Sequence, residues 1–146
     1  MTTFADSSVI VKLYVPEAGH EQVRRLERPL LISGLATVEV AGALWRKQRL
    51  GELDPADAAL LVRAFTANFS DVGDAGPFAV VAVTPEILRH AARLVARHPL
   101  RAYDAVQLAS ALAAQAALGE PLAFAAADRA LNAAAASEGL VLAVLD

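Results

Sequence analysis

The chain has 146 residues, 16 acidic against 13 basic side chains, a net charge of −3 and a pI near 5.6. That length suits one domain over residues 1–146, large enough to hide roughly 70% of its unfolded surface without a disulfide or structural metal. It has no cysteine, which excludes thiol catalysis, zinc ribbons and disulfide scaffolds, and its 56% apolar and 20% charged composition excludes a disordered tail.

In chain order, Thr2–Ala5 reads as a short first strand. Ser7–Tyr14 reads as a helix capped by Ser7 or Ser8 and stopped before Pro16, and Glu17–Glu27 as a polar helix. Leu30–Ser33 is a second strand, and Leu35–Arg49 a helix ended by Gly51. Asp54 caps a helix over Pro55–Asn68, with proline in its favoured first position. Asp71–Pro77 (DVGDAGP) is the most loop-like stretch. Phe78–Val83 is a third strand, followed by a Thr84-capped helix from Pro85 to Arg97, which Pro99 breaks. Ala102–Leu118 is a helix closed by Gly119. Leu122–Ala126 is a fourth strand, Arg129–Ala136 a helix and Leu140–Leu145 a fifth strand. Strands alternating with helices predict an α/β fold: a doubly wound parallel sheet of about five strands, in three α/β/α layers. The unbroken apolar runs FAVVAV and LAFAA fit strands buried on both faces.

A mean hydropathy of +0.43 does not make this a membrane protein. The longest apolar stretch, Ala105–Gly119, is broken by Gln107, Ser110 and Gln115, and falls short of the ~20 residues that span a bilayer. Alanine supplies much of the apolar count, and it favours helix more than lipid. The start MTTFAD lacks a basic region and carries an acid, unlike a secretory signal. The expectation is a cytoplasmic protein with no membrane partner.

In an open α/β sheet, ligands gather at the carboxyl edge of the strands. Asp6 directly follows the first strand and Asp128 the fourth. Glu39 lies early in the helix after the second strand, and Asp104 in the first turn of the helix before the fourth. All four meet at one edge if strands one and four are neighbours. Asp6 and Asp128 are equally readable as helix caps, and Asp104 gains from a helix dipole. Glu39, inside LATVEVAGAL, has no such explanation. Four crowded carboxylates either take up protons or share a cation. Magnesium, or manganese, suits oxygen-only ligands, and such an ion supports phosphoryl chemistry with activated water. His20, His90 and His98 are scattered and offer no metal spacing.

The stretch DSSVIVKLYVPE, the Glu of TVEV, the Asp of RAYDAVQLASAL and the Asp of AAADRAL resemble the PIN-domain ribonucleases, and most of all the VapC-type toxins of type II toxin–antitoxin pairs. The resemblance covers nearly the whole chain. It implies a magnesium-dependent endoribonuclease that hydrolyses single-stranded or looped RNA. Asp6 and Asp104 would be the principal metal ligands, Glu39 would hold or orient a metal-bound water, and Asp128 would complete the acidic cluster. Ser8 matches a small hydroxyl residue two places after the first acid. The resemblance also implies a cognate antitoxin and a homodimer. One departure is Ala126, where family members usually carry Thr or Ser two residues before the last acid; this puts the role of Asp128 in question more than the activity.

RNA binding needs local positive charge, because phosphate contacts supply most of the affinity. Trp45-Arg46-Lys47-Gln48-Arg49 ends the helix that carries Glu39. Arg89, Arg93 and Arg97 form one stripe on another helix, with Arg101 just beyond. Arg46 and Arg101 are the candidate phosphate contacts, and a solvated helix face is the plain alternative. Trp45 is either core or part of a partner groove. No aromatic stacking platform is evident. The competing functions are a non-catalytic PIN-like module that binds RNA or protein, and a phosphoryl-receiver domain. The receiver reading lacks paired acids after the first strand and a late lysine.

Overall fold

The computed structural model describes residues 1–70 and 76–145. Five strands form one sheet: β1 (Thr3–Ala5), β2 (Leu30–Ser33), β3 (Phe78–Val81), β4 (Ala123–Ala125) and β5 (Val141–Leu142). Their order is β3-β2-β1-β4-β5 and each described pair is parallel. The chain thus winds one way from β1 to β3, then crosses back and winds the other way through β4 and β5. The reversal lies between β1 and β4, where Phe4 is in register with Phe124. This is the doubly wound sheet that the alternating elements predict.

Among the described residues, seven helices cover its two faces: α1 (Ser7–Val11), α2 (His20–Arg24), α3 (Ala36–Arg49), α4 (Pro55–Ser70), α5 (Pro85–Arg97), α6 (Ala102–Leu118) and α7 (Arg129–Ser137). On one face, α5, α6 and α7 bury Leu94, Leu108 and Leu131 against Phe4, Phe124 and Leu122. The Phe4 and Phe124 rings stack 5.9 Å apart, only 5° from parallel. On the other face, Ile10, Leu44 and Phe65 pack on Leu30 and Ile32. Parallel strands with both faces covered must be apolar throughout, and β1 and β4 are buried at every position. Three alanines of α6, Ala105, Ala109 and Ala111, are fully buried and let this helix lie close to the sheet. Among the described residues, no helix is long and apolar enough to cross a membrane.

Element types match the sequence reading, and several boundaries move for identifiable reasons. α1 stops at Val11 rather than Tyr14, because the N–H groups of Lys12, Leu13 and Tyr14 turn to the carbonyls three residues back, tightening the chain into turns. α2 begins at His20 because Gly19 (φ +87°) turns the chain in the left-handed region immediately before it. β3 ends at Val81, not Val83, because its partner β2 ends at Ser33 in register with Val81. β5 is two residues long because β4 offers it only Ala123 and Phe124 as partners. The expectation that FAVVAV is buried on both faces fails. β3 is an edge strand in which only Phe78 is buried, and Val80 is 44% exposed. The DVGDAGP loop falls mostly outside the described residues; of it, Pro77 accepts the Leu30 N–H at 2.9 Å.

Candidate active site

Asp6 is placed by the sheet and held by α1. Its N–H donates to the Ala125 carbonyl at 3.0 Å, tying the end of β1 to β4. Its Oδ1 caps α1 by accepting from Val9 N–H at 3.1 Å, and accepts from the Ser8 hydroxyl at 2.6 Å. Both bonds fall on Oδ1, so Oδ2 has no partner among the described residues. Burial is the main cause that pushes this carboxyl from 3.8 up to about 6. The bonds from Ser8 and Val9 pull it down, and the charges of Asp104 and Glu39 push it further up. The helix-cap reading of Asp6 holds: Oδ1 caps α1, while Oδ2 faces the site without a hydrogen bond among the described residues.

Glu39 lies in the first turn of α3. Its Oε1 accepts from the Ser7 hydroxyl at 3.0 Å and from Gln107 Nε2 at 2.7 Å, and Gln107 Nε2 also donates to Ser7 Oγ at 2.9 Å. A half-buried carboxylate in an apolar helix is thus held by two neutral donors from α1 and α6. Gln107 Oε1 is buried with no partner. Asp104, in the first turn of α6, stands with Oδ2 3.4 Å from Arg101 Nε. Arg101 also reaches Asp128 Oδ2 at 3.9 Å while remaining 83% exposed, so these contacts add little to stability.

Asp6, Ser8, Glu39, Arg101, Tyr103 and Asp104 line a cavity of about 380 Å³. Three of the four sequence-predicted acids therefore converge. Asp128 does not line the cavity. It caps α7 by accepting from Leu131 N–H at 2.8 Å and meets the site only through Arg101. Arg46 is exposed in the last turn of α3, outside the cavity lining. The arginine stripe faces away: Arg93 lines a separate apolar groove and Arg97 pairs with Glu138 at 3.1 Å. Trp45 is half-buried and belongs to neither core cluster. Ala126 brings no hydroxyl to this edge; the neighbouring Ala127 N–H donates to Ser8 Oγ at 3.3 Å.

Three site residues escape the sequence reading: Ser7, Gln107 and Tyr103. Gln107 carried a signal, since it lies one turn after Asp104 in an otherwise apolar helix. Tyr103 is 60% exposed at the cavity mouth, an aromatic surface that composition alone did not locate.

The donor set fits a hard divalent cation. Every candidate ligand is a carboxylate oxygen, and Asp6 Oδ2 is left unpaired by the chain. Among the described residues, no three acidic or imidazole groups stand close enough to form a ready-made cage. One or two carboxylates completed by water is the usual binding mode of magnesium.

The PIN domain family matches residues 3–137, and the chain belongs to that family. Among solved structures, it is similar to the Mycobacterium tuberculosis VapC20 toxin, described as cleaving the sarcin–ricin loop: 22% identity, TM-score 0.65, covering 96% of this chain and 97% of that one. It is also similar to a chain of a toxin–antitoxin complex from Klebsiella pneumoniae, at 13% identity and TM-score 0.53, covering 84% of each. No curated protein matches the sequence.

Proposed function

We propose that the chain is a VapC-type toxin: an endoribonuclease that hydrolyses RNA phosphodiester bonds with Mg²⁺, or Mn²⁺, held by Asp6 and Asp104. The observation that carries this reading is the convergence of Asp6, Glu39 and Asp104 on one cavity from three separate segments of the chain. Membership of the PIN family supports it, as do the toxin descriptions of its structural neighbours.

When bound, the ion would lower the pKa of water and offset charge building on the phosphate. The chain supplies the rest. Glu39 is oriented through Oε1 by Ser7 and Gln107, leaving Oε2 to accept a proton from the attacking water. Asp6 titrates near 6, so it is mostly ionised at neutral pH and can serve as a ligand. Arg101 reaches Asp104 and Asp128 only loosely and can turn to a substrate phosphate. Ser8 fixes Asp6, and Asp128 restrains Arg101 at the rim. A negatively charged cavity also suits a basic segment of a cognate antitoxin, which would neutralise the acids and block RNA. Cytoplasmic action and a homodimer belong to the same reading.

The test is cleavage of RNA by purified protein. Activity is expected to vanish with EDTA, return with Mg²⁺ or Mn²⁺, and be absent in Asp6→Asn. Cleavage that survives both EDTA and Asp6→Asn would refute the mechanism. Ala126 favours the second reading, a non-catalytic PIN module, in which RNA or protein binds without any metal-dependent cleavage.

A further inference from the structure

A second polar cleft lies at the opposite edge of the sheet, by the amino ends of β2 and β3. It is lined by Tyr14, Arg24, Arg28 and Asn68 beside Pro77 and Phe78, and has a volume of about 340 Å³. Arg24 closes α2 and Arg28 lies just before β2. Among the described residues neither guanidinium forms an ion pair. The one acid between them in sequence, Glu27, is engaged by the Met1 ammonium at 3.3 Å.

The neutral groups are arranged to donate. Asn68 Nδ2 donates to the Tyr14 hydroxyl at 2.8 Å, so the hydroxyl's own proton is left for another acceptor. The Tyr14 ring is held edge-on against Phe65, with centroids 5.7 Å apart and planes at 86°. Burial pushes the Tyr14 hydroxyl up from 10.0, so it keeps that proton at any physiological pH. Two forked cations, both exposed, and one O–H donor line the same concave surface, a donor set that matches phosphate oxygens.

We propose that this cleft is a phosphate-binding site, separate from the acidic cavity, in which Arg24 and Arg28 clamp the phosphate and Tyr14 donates a third hydrogen bond. The phosphate is either free or part of a single-stranded RNA backbone, and the two sources are separable. The site stands whether or not the acidic cavity cleaves RNA, and its test is run in EDTA, where no metal-dependent cleavage occurs.

The experiment titrates the protein with inorganic phosphate by calorimetry and, in parallel, with a fluorescent single-stranded RNA by anisotropy. The Arg24→Gln/Arg28→Gln double variant is expected to weaken phosphate binding by about tenfold or more, and Tyr14→Phe by about threefold. If the ligand is RNA, the double variant also flattens the salt dependence, by about 0.7 per lost phosphate contact. If phosphate binds and RNA does not, the free ion or a small phosphorylated molecule is the ligand. Arg25→Gln is the control: Arg25 is exposed and adjacent in sequence but does not line the cleft. The proposal is overturned if neither probe binds, or if Arg25→Gln weakens binding as much as Arg28→Gln, which would reduce the effect to general surface charge.

Discussion

Gln107 Nε2 donates to Glu39 Oε1 at 2.7 Å, across 68 residues of sequence, and so couples α6 to α3 behind a carboxylate that lines the acidic cavity. The same nitrogen donates to Ser7, which itself donates to Glu39. Glu39 is therefore held by neutral donors that orient it without cancelling its charge. Gln107→Leu should remove one of its two donors and leave Ser7 Oγ one bond short. We expect a loss of about 1–3 kcal/mol in stability and a fall in kcat with KM little changed. Steady-state kinetics and chemical denaturation check both; a change confined to KM would contradict the positioning role.

Asp6 makes the fold less stable as pH rises. Its carboxyl titrates at 3.8 when unfolded and at about 6 when folded, so between these values the folded state holds a proton that the unfolded state has lost. The stabilisation is full below 3.8 and is lost as pH rises through 6, an effect of roughly 3 kcal/mol. In metal-free buffer, Asp6→Asn should raise stability by about 1–3 kcal/mol at pH 8, little at pH 4, and abolish cleavage. Asparagine is itself a good helix cap, so α1 should survive. Thermal melts of both proteins across pH 4–8 give the answer.

The same buried charge predicts the response to divalent ions. Mg²⁺ at about one hundred times its dissociation constant should stabilise the wild type by about 2.7 kcal/mol. For a chain of this length that is a rise in Tm of roughly 5–10 °C. The rise should be reversed by EDTA and absent in Asp6→Asn and Asp104→Asn. Equal rises in all three proteins would place the ion elsewhere.

Tyr103 offers the one aromatic face at the cavity mouth. If a base next to the scissile phosphate stacks there, Tyr103→Ala should raise KM for RNA by about tenfold, within the 1–3 kcal/mol expected of such stacking. Tyr103→Phe should behave like wild type, and because the side chain is 60% exposed, neither change should shift Tm appreciably. An unchanged KM in Tyr103→Ala would remove this residue from substrate binding.

Much of the fold was legible because proline, glycine and capping residues punctuate the chain. Asp54 caps α4 through Asp57 N–H at 2.9 Å, and Thr84 caps α5 through Ile87 N–H at 3.2 Å, as their positions imply. Strand ends were less legible, because they depend on the partner strand: β3 stops at Val81 where β2 stops. At the site, Glu39 and Asp104 stand out as charges in apolar surroundings, and Asp6 by its place directly after the first strand. Ser7 and Gln107 do not, since a neutral polar side chain signals a role only once its partner's position is known. Arg46 is visible in the sequence by its charge, but its distance from the cavity is not: the length of α3 sets it in the last turn, outside the cavity lining.

The strand order has a consequence for synthesis. Asp6 directly follows β1 near the start of the chain, yet the flank of β1 towards β4 stays open until Ala123–Ala125 docks. A polypeptide that has not yet reached residues 104–125 therefore lacks both Asp104 and the Ala125 carbonyl that anchors the Asp6 N–H. The three-acid cavity takes shape only once that stretch has folded against β1, however early Asp6 and Glu39 are made.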